Sequence, residues 1–110
     1  MGTSARIIRE KEARTFMEGP ELCREYIRTS KMWLGTSTLQ PGQRGNIDSG
    51  HSVPQEVFYC CQGHILLFDK EQCYELLGGN ATLIPEGLPR TLINIGEETG
   101  VLAWAGAPGQ

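Results

Sequence analysis

Basic residues are scarce in the second part of this chain: residues 45–110 carry only Lys70 and Arg90, against eight acidic side chains. Residues 1–44 carry eight Lys and Arg and five Glu, so the two stretches stand at +3 and −6 within a net charge of −3. No basic stripe is offered to a phosphate backbone, and no nucleic-acid partner is expected. Long apolar runs are also missing. Runs such as 65–68 and 101–105 fall far short of the roughly 20 residues that span a bilayer, and no run is longer than five, so no membrane partner is expected. Residues 1–14 lack the apolar stretch of a secretory signal, and Arg6 stands where a myristoylation pattern has Ser or Thr. The four cysteines, Cys23, Cys60, Cys61 and Cys73, include no C-x-x-C pair, which argues against a zinc knuckle. Cys60 and Cys61 point to opposite faces of a strand, a poor geometry for a bridge. The reading is a cytoplasmic chain with reduced thiols.

What is plentiful is turn chemistry: 14 Gly and 6 Pro in 110 residues, a length that suits one domain with one core. No repeat or low-complexity tract divides the chain. Residues 1–20 read as an N-terminal arm ending at Gly19-Pro20, and residues 21–110 as the domain itself. The basic arm suits an acidic body, its own or that of a second copy. Residues 21–28 fit a short helix or a strand, and the pattern does not decide. Residues 32–39 read as a strand ended by Pro41-Gly42, and 43–53 as a loop. Further strands are expected over 56–61, 65–68, 72–77, 81–84, 90–95 and 100–105, with Asp69-Lys70-Glu71 as a hairpin turn. Short strands at this spacing predict an all-β sandwich or barrel.

Two stretches are more specific. Gly79-x5-Pro85-x-Gly87-x2-Arg90-x3-Asn94 resembles the second motif of the cupin superfamily, with Arg90 where that motif usually has His. Glu56-x6-Gly63 resembles the second half of the first motif, and Pro41-Gly42 the turn before it. Counting back from Glu56, His51 holds the second His position of that motif and Ser49 the first. The resemblance covers about residues 30–107. It implies a cupin-type double-stranded β-helix, a jelly-roll barrel of two antiparallel sheets, and a homodimer formed through N-terminal strands. It also implies that residues 51, 56 and 90 converge inside the barrel, where the commoner members hold Fe, Mn, Ni or Zn.

Of the usual four ligands only His51 and Glu56 remain, because a guanidinium stays protonated and offers no lone pair. The expected cofactor is none, or a weakly held divalent metal (Fe, Mn, Ni or Zn) on His51 and Glu56. Arg90 has another use, since its fork matches a carboxylate or phosphate. An internal Arg90–Glu56 ion pair explains the same residues equally well. Glu56 begins an otherwise apolar strand, where a carboxylate is either paired or working. It is the candidate catalytic base, and His51 the acid or shuttle. Phe58, Cys60 and Leu92 share the inward parity and are read, with Arg90, as substrate-binding residues. Trp33 and Trp104 read as packing residues on outer strands, and His64 as a turn residue. The expected function is binding of a small organic anion in the barrel, with metal-independent isomerase, epimerase, cyclase or lyase chemistry as its enzymatic form. The alternatives are a metal-dependent, dioxygenase-like enzyme using His51 and Glu56, or a non-catalytic ligand-binding or sensing module.

Overall fold

A computed structural model describes residues 4–47, 55–69 and 71–108. The strands are β1 (Arg14–Glu18), β2 (Glu21–Arg28), β3 (Trp33–Leu39), β4 (Gln55–Gln62), β5 (His64–Phe68), β6 (Cys73–Leu77), β7 (Ala81–Ile84), β8 (Thr91–Asn94) and β9 (Gly100–Ala107). They form a six-stranded sheet in the order β1-β2-β3-β9-β4-β7 and a three-stranded sheet in the order β6-β5-β8, with every pairing antiparallel. A 3-10 turn at Glu10–Glu12 precedes them. Among the described residues no helix is long and apolar enough to cross a membrane.

The strands form where side chains alternate between a buried and an open face. In β3, Trp33, Gly35, Ser37 and Leu39 are all buried, and the residues between them less so. In β4, Phe58 and Cys60 point inward, whereas Val57 and Tyr59 are exposed. Residues 21–28, open to two readings from sequence, form a strand because β1 and β3 pair with both of its edges. Residues 14–18, within the stretch read as an arm, make the outermost strand of the larger sheet. His64, read as a turn residue, instead opens β5; the turn belongs to Gly63 alone, at φ 94°. That left-handed conformation, which favours glycine, lets one residue carry the chain from the large sheet to the small one. A Cβ there would come within 3.0 Å of the Gly100 Cα.

Aliphatic side chains close one end of the barrel. Leu39, Ile65, Leu67, Leu76 and Leu102 pack there with Cys60, and Phe58, Ile84 and Leu92 extend the cluster. The 42–45 segment runs along β8 through Gly42 N–H to the Asn94 carbonyl and Gly45 N–H to the Leu92 carbonyl, each 2.9 Å. Asn94 is the buried staple of this end. Its amide nitrogen donates to the Leu39 carbonyl at 2.9 Å and the Glu98 carbonyl at 2.8 Å, and its oxygen accepts from Gly96 N–H at 2.8 Å. A fully bonded buried amide fixes the turn before β9; this gives the motif position of Asn94 a structural job.

Candidate functional site

The other end of the barrel is open and holds a cavity of about 330 Å³ between the concave face of the large sheet and β8. Four expected site residues meet in its wall: Glu56 and Phe58 from β4, Leu92 from β8, and Arg90 just before it. The Arg90 guanidinium is bonded to the Glu56 carboxylate through Nη2, and Nη1 donates to the Leu88 carbonyl at 3.2 Å. Its carbon lies 5.8 Å from the centroid of the Phe58 ring. The Arg90 and Glu56 side chains are only 7% and 13% exposed, so the pair is largely withdrawn from water. His51 and Ser49 lie outside the described residues.

Cys60, expected on the same wall, is fully buried in the aliphatic core one register step away. Its thiol approaches the Gln62 and Gly63 carbonyls at 3.5 and 3.8 Å. Burial pushes that thiol up from its ordinary value, away from nucleophilic use.

The resident metal that the fold commonly carries does not suit the described residues. Glu56 faces a fixed positive charge, beside which a second cation would be repelled. Among the described residues no three His, Cys, Asp or Glu side chains gather as a ligand set.

Trp33 and Trp104 are the correction to the sequence reading: both line the cavity. Their placement follows from register. Trp33 of β3 lies opposite Gly106 of β9, and Gly35 of β3 opposite Trp104 of β9. A Cβ on Gly106 would overlap the Trp33 ring, and one on Gly35 the Trp104 ring. Each indole thus lies across the bare backbone of the neighbouring strand, and the two rings meet at 5.6 Å between centroids. The signal was present as the repeated Trp-x-Gly of 33–35 and 104–106. The Trp104 Nε1–H donates to Ser37 Oγ at 2.9 Å, and the Cys23 thiol lies 3.6 Å from that oxygen. Burial pushes the Cys23 thiol up to about 11, so at neutral pH it is a hydrogen-bonding group and not a thiolate.

A second charged group, absent from the sequence reading, comes from β2. Residues 25 and 28 should face opposite sides of a strand, but a bulge between Glu25 and Ile27 turns both inward. Arg28 Nε then donates to Glu25 at 2.9 Å, Arg14 Nε approaches the other oxygen at 3.4 Å, and the Arg28 guanidinium lies 5.7 Å from the Trp33 ring. The Arg28 hydrogen bond, joined by Arg14, holds the Glu25 carboxyl below the usual glutamate range. A carboxyl depressed in the folded state stabilises above its unfolded value, and this is lost as pH falls through the folded one. Glu25→Gln should therefore be less stable than wild type near neutral pH, with the gap closing below about pH 4. Denaturant unfolding at both pH values measures this; an unchanged gap contradicts it.

Three arginines (14, 28 and 90) and four glutamates (18, 21, 25 and 56) line the cavity, so its wall is ion-paired and not uniformly positive. An anion would be held by short-range fork geometry and not drawn in by a long-range field.

No protein-family model matches the sequence, and no curated protein sequence matches it. Solved structures do match in fold. An RmlC-like cupin from Shewanella frigidimarina aligns with a TM-score of 0.79 at 13% identity, over 97% of this chain and 94% of that one. A Klebsiella pneumoniae protein with a double-stranded β-helix domain aligns at 0.79 and 20% identity, over 97% and 93%. The polyketide cyclase RemF from Streptomyces resistomycificus aligns at 0.76 and 15% identity, over 94% and 80%. With two antiparallel sheets closed at one end and a side-chain-lined cavity at the other, the chain has the cupin fold, a double-stranded β-helix.

Proposed function

We propose that the barrel binds a small organic anion, and that its carboxylate docks on Arg90. The observation carrying this reading is a guanidinium only 7% exposed in the wall of an open cavity, held in place by Glu56 and the Leu88 carbonyl. A planar fork fixed in this way is ready for a second carboxylate at little ordering cost. An incoming anion competes with Glu56 for Nη2. Glu56, beside the bound molecule, is the base that takes a proton from it. Isomerisation, epimerisation, cyclisation and lyase reactions need such a transfer beside a carbon, and the reading favours them. RemF shows that a barrel of this fold serves a polyketide cyclase, which makes the cyclase form compatible with the fold. In this reading His51 is the second proton carrier.

A homodimer formed through N-terminal strands would use β1, which stands at one edge of the large sheet.

The chain's two tryptophans both line the cavity, so intrinsic fluorescence reports its occupancy. Titration with small carboxylates should give a saturable change, and their primary amides should give none. Arg90→Gln should weaken the carboxylates about 30-fold or more. Equal responses to acids and amides, or an Arg90→Gln protein binding as wild type does, would contradict the reading.

A further inference from the structure

The two ends of the barrel interior differ in where their aromatic rings stand. Its closed end is filled mainly by leucine and isoleucine. Both tryptophans and two of the three phenylalanines, Phe16 and Phe58, line the open cavity instead. A core that needed only filling would use branched aliphatics throughout, as the closed end does. Gly35 and Gly106 reinforce the contrast, because each withholds the side chain that would lift an indole off the sheet. Phe58 stands directly opposite Trp104 in the β4–β9 register and Trp104 meets Trp33, so three neighbouring strands each bring one ring to the cavity wall.

Two of the cavity's cationic groups stand beside these rings. Arg90 lies near the Phe58 ring and Arg28 near Trp33. Between them, the Ser37 hydroxyl takes the Trp104 indole N–H and neighbours the Cys23 thiol, so these groups bond one another. A flat ring would meet π faces and edges at favourable spacing here. The cavity of about 330 Å³ is also roughly twice the 150 Å³ that accepts one benzene, which suits one or two fused rings.

We propose that the anion is a planar aromatic carboxylate of one or two fused rings, its ring against Phe58, Trp104 and Trp33 and its carboxylate at Arg90. This rests on the anion-binding reading above, and the test separates the two.

Isothermal titration of the full chain would compare 2-naphthoate, its saturated analogue decahydronaphthalene-2-carboxylate, the neutral 2-naphthamide, and gluconate. Binding of 2-naphthoate about tenfold or more tighter than the saturated acid, with gluconate weakest, is the expected order. Saturated acid or gluconate binding as tightly as 2-naphthoate overturns the aromatic inference and leaves anion binding standing. Naphthamide binding as tightly as naphthoate overturns the anion reading and this inference with it; so does an absence of binding by all the acids. Trp104→Leu should remove most of the preference for 2-naphthoate over the saturated acid, and a preference left intact in a folded variant contradicts the proposed wall. Should that variant not fold, Phe58→Leu probes the same wall with the same expected result.

Discussion

Glu56→Ala lowers the stability of this fold by about 3–5 kcal/mol, the usual cost of removing one partner of a buried ion pair. The pair's side chains are 7% and 13% exposed, so the guanidinium left behind has little water to turn to. For a chain of this length the change corresponds to a fall in Tm of roughly 10–20 °C. Replacing both partners together, as Glu56→Leu with Arg90→Met, should bring stability back to within about 1 kcal/mol of wild type, because two desolvation costs vanish with the attraction. The double variant then separates structure from function. It should fold and unfold like wild type yet show no carboxylate response in its tryptophan fluorescence. A double variant that still binds carboxylates would reduce the pair to a packing device.

Gly106→Ala should cost about 1–3 kcal/mol, although alanine in a strand is ordinarily no worse than glycine. The sign reverses here because the new methyl would lie within the Trp33 ring, which is itself buried. Combining it with Trp33→Val removes the overlap, so the two losses should not add. A double-mutant cycle should give a coupling of about 1–2 kcal/mol between these cross-strand partners. Thermal or denaturant unfolding of the four proteins measures it, and additive losses would mean that the indole does not lie over Gly106 as described.

Much of the barrel was legible because turns punctuate it. Pro41-Gly42, Gly63, Gly79 and Pro85-x-Gly87 bound strands whose alternation is plain, and β7 falls on the expected residues 81–84. Residues 21–28 stayed ambiguous because none of their side chains except Cys23 is deeply buried, so no face stands out from composition. The Glu56–Arg90 encounter could be anticipated, since both lie at motif positions that converge inside the barrel. Whether they met each other was a question of distance, and here the two side chains are bonded.

The aromatic wall and the Glu25–Arg28 group were harder to foresee, for two different physical reasons. A tryptophan lying over a glycine is a cross-strand relation between residues about 70 positions apart, invisible until β3 and β9 are set side by side in register. Arg28 faces the cavity only because a bulge breaks the two-residue period on which strand parity rests. Cys60 shows the converse. Parity placed it correctly on the inward face, but parity cannot say where along the barrel the core ends and the cavity begins.

The central claim is that a ligand carboxylate reaches the buried guanidinium of Arg90. The arginine side-chain N–H resonances of isotopically labelled protein test this most directly, with the Arg90 signal assigned by its loss in Arg90→Gln. On addition of a carboxylate that binds, the Arg90 signal should shift saturably with the same affinity as the tryptophan fluorescence, while exposed arginines such as Arg9 stay in place. Saturable binding with an unmoved Arg90 signal would contradict the account.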